Sequence, residues 1–143
     1  MSQKNLYDDS VAVASFLPAA QFKTSALASG TLPASQISGA AENYLTQSAA
    51  TALTLPAATD LVANVQSVLA GQGLGPFYNL GTNFSFYIRI INTNAGTLTL
   101  TAGTGNTING PATMATNTWR DYLVTVTGAA AVTYQSVGVG TAP

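Results

Sequence analysis

The stretch Phe84-Ser-Phe-Tyr-Ile-Arg-Ile-Ile91 decides the fold class. Phe84, Phe86, Ile88 and Ile90 share one side of an extended chain and Ser85, Tyr87, Arg89 and Ile91 the other, the two-residue period of a β-strand. Its residues are mostly aromatic or β-branched, types that suit a pleated, packed surface. The second side is not purely polar. Such a strand is expected to be covered twice, by a core on one side and by another subunit or an arm on the other.

Downstream, Asn92-Thr-Asn-Ala-Gly96 reads as a turn and Thr97-Leu-Thr-Leu-Thr-Ala102 alternates strictly, which predicts a hairpin. After a turn at Gly103-Thr-Gly105, short strands at Thr107-Ile108 and Ala112–Ala115 flank Asn109-Gly-Pro111. Trp119–Thr127 and Ala131–Val139 form a last long pair across Gly128. Upstream, Ala49–Leu55 alternates until Pro56. Thr59 is placed to cap a short helix over Asp60–Ala70, with Leu61, Val65, Val68 and Leu69 on one face and Gly71 at its end. Strands at intervals of about 8–12 residues predict an all-β domain over residues 44–143: an antiparallel β-sandwich, jelly-roll-like, with one short helix.

Residues 1–43 have another character. Leu6, Tyr7, Val11, Val13, Phe16, Leu17, Phe22, Leu27, Leu32 and Ile37 follow neither helical nor strand periodicity, and Pro18 and Pro33 interrupt any helix. The expectation is an extended N-terminal arm. Ordering it must be offset by burial elsewhere, so its apolar anchors are expected to lie on a partner.

The 143 residues suit one domain, or a small domain with an arm. Charged residues make up 6% of the chain, against roughly 25% in an average domain. Without His or Cys, His-based triads, thiol chemistry and common zinc sites are excluded. Lys4, Lys23, Arg89 and Arg120 cannot make the basic patch on which nucleic-acid affinity rests, so no nucleic-acid partner is expected. Ala49–Ala70 is broken by Pro56 and Asp60 and predicts no membrane span. A secretory signal reads poorly, since Asp8 and Asp9 would lie in its leading region. The net charge of −1 is low for a soluble monomer, which points to a chain that assembles.

Gly103–Gly110 has the glycines of a phosphate loop without its Lys-Ser/Thr pair, and reads as a hairpin turn with no helix N-terminus behind it. Asp8-Asp9 lacks the further oxygens of a cation site. Asn83-Phe-Ser85 fits a glycosylation sequon, a three-residue match that chance supplies. Asp60 and Asp121 are the only carboxylates of the β-region, one at a helix start and one in a strand, which argues against a glycosidase pair. No catalytic residue, cofactor or metal is expected. Tyr87, Arg89, Ile91, Trp119 and Arg120 are the candidate subunit-interface residues, because Tyr, Trp and Arg concentrate at interfaces.

The succession Leu53-Thr-Leu-Pro-Ala-Ala-Thr-Asp-Leu-Val62, Phe84–Thr93, Thr97–Gly105 and Tyr134-Gln-Ser-Val-Gly138 resembles β-rich structural proteins of tailed bacteriophages and related double-stranded DNA viruses. The likeness covers about residues 44–140 and lies in strands and turns rather than in a catalytic signature. It implies a commonly trimeric, jelly-roll-like module used as a capsid decoration or cement protein or at a fibre tip. The expected partners are then the major capsid protein or other virion proteins and further copies of the chain. Its place would be the capsid surface, after synthesis in the host cytoplasm. The arm residues Leu6, Tyr7, Phe16, Leu17 and Phe22 would make the capsid contact.

Overall fold

The structure, a computed structural model, describes residues 22–26, 30–38, 42–48, 52–71 and 84–142. It is strand-rich, with β1 (Phe22–Ala26), β2 (Gly30–Thr31), α1 (Ala34–Ile37), β3 (Glu42–Gln47), β4 (Ala52–Thr54), α2 (Ala58–Gly71), β5 (Phe84–Asn92), β6 (Leu98–Thr101), β7 (Asn106–Asn109), β8 (Thr113–Met114), β9 (Thr118–Gly128) and β10 (Ala131–Thr141). A six-stranded sheet runs β1-β3-β5-β9-β10-β7 and a four-stranded sheet runs β2-β4-β6-β8.

The sheets are mixed, and this corrects the antiparallel expectation. From β1 to β6 the chain alternates between them, so each strand pairs in parallel with the strand one circuit later. Only β5–β9, β9–β10 and β6–β8 are antiparallel. The hairpin expected between β5 and β6 does not form, because the turn at Asn92–Gly96 carries the chain into the other sheet. Asn92 fixes that crossing: its amide nitrogen donates to the carbonyls of Gly96, Met114 and Ala115, and its side-chain oxygen accepts from Asn94 N–H.

The circuits carry a short repeat. Thr31-Leu-Pro-Ala34 and Thr54-Leu-Pro-Ala57 sit at equivalent places, with Thr31 paired to Thr54 and Thr54 to Thr101. Leu32 N–H donates to Thr54 O at 2.8 Å and Leu55 N–H to Thr101 O at 2.9 Å. Both leucines are buried, and each repeat leads into a helix whose start suits Pro before it. The first of these helices, α1, is the one not foreseen from sequence. Alternate residues of both sheets, including Leu45, Ile88, Ile90, Leu53, Leu98 and Leu100, join Leu61, Val65 and Leu69 of α2 in one apolar cluster.

The second helix begins at Ala58, earlier than the expected Asp60 start, so Thr59 lies inside its first turn rather than at its cap. The first N–H of the helix finds Thr104 O instead, at 2.8 Å. The Gly103–Gly110 turn therefore does lie at a helix N-terminus, and what it presents there is a carbonyl. A Cβ at Gly103 would run into Leu55 O and sit 2.8 Å from Pro56 O, so backbone proximity explains this glycine.

Strands β1 and β2 and part of β3 come from the stretch expected to be an arm, and the expected division after residue 43 falls within β3. Leu6, Tyr7, Phe16 and Leu17 lie outside the described residues, as does the side chain of Phe22, whose backbone opens β1.

Candidate interaction surface

Buried and open positions alternate along β5: Phe86, Ile88, Ile90 and Asn92 turn to the core, while Ser85 and Tyr87 are exposed and Arg89 and Ile91 half-buried. The outer side of the six-stranded sheet is thereby built in rows. Tyr44 of β3, Arg89 of β5, Asp121 of β9 and Gly138 of β10 form one row, and Thr46, Ile91, Trp119 and Gly140 the next. A further row holds Tyr87 opposite Leu123, and beyond it the hydroxyls of Ser85 and Thr125 are hydrogen-bonded at 2.8 Å.

Arg89 is the centre of the arrangement. Its Nε donates to Asp121 Oδ1 at 2.7 Å and its Nη2 to Oδ2 at 2.8 Å, a two-pronged pair that fixes the plane of the guanidinium. The guanidinium carbon lies 3.9 Å from the centre of the Trp119 ring and 5.4 Å from that of Tyr44. Stacking a cation on aromatic faces contributes about 0.5–1 kcal/mol at exposed sites, more where water is excluded. A Cβ added at Gly140 would fall 2.6 Å from Trp119 Cε2, so the indole lies directly against the β10 backbone. Tyr44, Arg89, Asp121 and Trp119 join β3, β5 and β9 in one charge-balanced patch that reaches β10 where the indole meets Gly140.

Of the five residues expected at a subunit interface, four come together here: Tyr87, Arg89, Ile91 and Trp119. Tyr87 is 47% exposed. Arg120 does not join them, since it alternates to the opposite side of β9 beside Ile90. There its Nη1 donates to Ser136 Oγ at 3.0 Å. The ion pair of the patch is internal, Arg89 with Asp121, whereas Asp60 is exposed in the first turn of α2.

Sequence reasoning missed Tyr44 and the two glycines. The signal for the glycines was present: two of them, two residues apart, in the strand paired with the one that carries the only tryptophan. Tyr44 became a neighbour of Arg89 only through parallel pairing.

Behind the patch, Tyr122 and Tyr134 fill the core between β9 and β10. Burial pushes the Tyr122 phenol up to about 12, against a smaller opposing pull from the Arg120 charge, and it donates to Pro111 O at 2.9 Å. Burial also raises Tyr134, whose hydroxyl has no hydrogen-bond partner among the described residues. Both phenols stay protonated at neutral pH and carry no exchangeable charge. Among the described residues no three His, Cys, Asp or Glu side chains gather to hold a metal ion. No described helix is long and apolar enough to cross a membrane. The chemistry the patch offers is stacking, hydrogen bonding and apolar contact. No protein-family model, no curated protein and no solved structure matches the chain.

Proposed function

We propose that the chain is a non-enzymatic structural protein of a virion, a capsid decoration or cement protein that self-associates through its β-rich body and stabilises the shell. The observation that carries the reading is the outer patch of the six-stranded sheet, where Tyr87, Arg89, Ile91 and Trp119 are mounted on neighbouring strands and left partly open. Tyr, Trp and Arg are the side chains that dominate protein interfaces, and a preformed, charge-balanced patch loses little freedom on docking. The paucity of charge supports assembly, since copies meet without long-range repulsion. On this reading the two sheets act as a jelly-roll-like scaffold, the chain assembles with further copies of itself, and Leu6, Tyr7, Phe16, Leu17 and Phe22 anchor the N-terminal stretch on coat subunits. The resemblance to phage structural proteins also supports a second use of the same patch, receptor binding at a fibre tip.

Immunogold electron microscopy of particles whose genome encodes the chain, with antibodies raised against it, tests the proposal. Label distributed over the shell is the expected result. Label confined to the tail tip would favour the fibre reading, and particles without label would overturn both.

A further inference from the structure

Strand β7 covers the free edge of β10 only from Val132 to Gln135. From Ser136 to Thr141, β10 is paired with β9 alone among the described residues. A register shift falls between Ser136 and Gly138, where β7 has ended, and beyond it Gly138, Val139, Gly140 and Thr141 pair regularly with Asp121, Arg120, Trp119 and Thr118. This open edge bears two of the three exposed large apolar residues of the described structure, Val137 at 51% and Val139 at 59% exposure. Natural sheets guard such edges with Lys, Pro, inward charges or bulges. Gln135-Ser-Val-Gly-Val-Gly-Thr141 has no charge and no Pro, and its one irregularity falls before Gly138, leaving Gly138–Thr141 in regular register.

We infer that this edge pairs antiparallel with the same edge of a second copy, joining two six-stranded sheets into one across a twofold axis. The segment is complementary to itself. It is uncharged, so two copies meet without repulsion, and each presents to the other backbone groups that no second strand among the described residues pairs. With the axis at Gly138, Val137 of each copy stands opposite Val139 of the other, and both exposed valines are covered. On the Trp119 side the regularly paired part of the edge bears only Gly138 and Gly140, with the indole lying over them. The pairing also sets the Trp119 and Arg89 patches of the two copies on one continuous sheet.

Self-pairing of a single edge gives a dimer, so the threefold ring expected from sequence would need a different contact. The inference rests on the proposed self-association but not on a virion location, which the immunogold experiment tests separately.

Light scattering on the full chain at micromolar concentration reads the result. The unmodified protein is expected at twice the chain mass, and Val139→Lys at the chain mass with an unchanged far-ultraviolet spectrum. A monomeric or trimeric unmodified protein, or a Val139→Lys variant that remains dimeric, would overturn the inference. Hydrogen exchange on the unmodified protein decides independently should the variant fail to fold. Diluting the sample through the dissociation range is expected to speed exchange of the outward-facing amides in Ser136–Thr141 by about tenfold or more. Fast exchange of those amides at every concentration would contradict the pairing.

Discussion

Two halves of one sheet are made in opposite ways. In β1, β3 and β5 the partners are parallel and far apart in sequence, Phe22 beside Glu42 and Glu42 beside Tyr87, with a visit to the other sheet between each pair. In β9 and β10 the partners are antiparallel and joined by a turn at Gly128–Ala131. Strands β3, β5, β9 and β10 obey the two-residue alternation, because each packs one side on the same core. Alternation specifies which residues are buried and leaves open which strand lies alongside. Pairing is set by connections, and a chain that crosses between sheets at each turn can place strands in parallel without a long helical crossover in every circuit.

The comparison is broken most severely at the core of the circuits. Leu32 and Leu55 occupy equivalent places in successive circuits, so replacing either with Ala is expected to cost about 2–5 kcal/mol, and by similar amounts. Chemical denaturation measures this. A large cost at one and a negligible cost at the other would show that the repeat is not structural.

Glycine replacements sharpen the contrast. Gly103→Ala, in the turn packed on the Leu55 and Pro56 backbone, is expected to destabilise by about 1–3 kcal/mol, as overpacking does. Gly128→Ala, at the hairpin turn, would place its Cβ an ordinary 3.6 Å from Ala131 Cβ and should change stability by less than about 0.5 kcal/mol. Equal effects in thermal melts would count against the tight circuit closure.

Within the hairpin, Tyr122→Phe removes the hydrogen bond to Pro111 O and is expected to cost about 1 kcal/mol. Tyr134→Phe removes a hydroxyl without a described partner and should be neutral or stabilising. The same phenols predict alkaline lability. Both pKa values are raised above the ordinary value near 10, Tyr122 to about 12 and Tyr134 further, so the native state binds protons that the unfolded chain releases. The stability they confer is whole below pH about 10 and falls as pH rises through about 12. Denaturation midpoints that hold steady from pH 9 to about 11.5 would contradict their burial.

The smallest effect belongs to the surface. Asp121→Asn leaves the shape and weakens the charge-assisted pairing with Arg89. Partly exposed pairs of this kind contribute about 1 kcal/mol or less. The change should be plainer in the fluorescence of Trp119, the only tryptophan, than in stability. Unaltered emission would show that Arg89 does not rely on Asp121 to stay over the indole.

The long pair Trp119–Val139 was legible because its turn and alternation are local. The patch was legible in part for the same reason: Tyr87, Arg89 and Ile91 follow from the period of one strand, and Trp119 from the next. The parallel pairing was not legible because Phe22–Ala26 and Glu42–Gln47 are short and their partners lie in later circuits. The repeated Thr-Leu-Pro-Ala at 31–34 and 54–57 was the available clue. Two helices at equivalent places follow from it, since Pro suits a helix start.

The parallel circuits are the claim on which the register of the outer patch depends. Scalar couplings through hydrogen bonds, measured by nuclear magnetic resonance on labelled protein, observe it directly. The Leu32 amide nitrogen should couple to the Thr54 carbonyl carbon and the Leu55 amide nitrogen to that of Thr101. Couplings from these amides to carbonyls of a sequence-adjacent antiparallel strand instead would contradict the account.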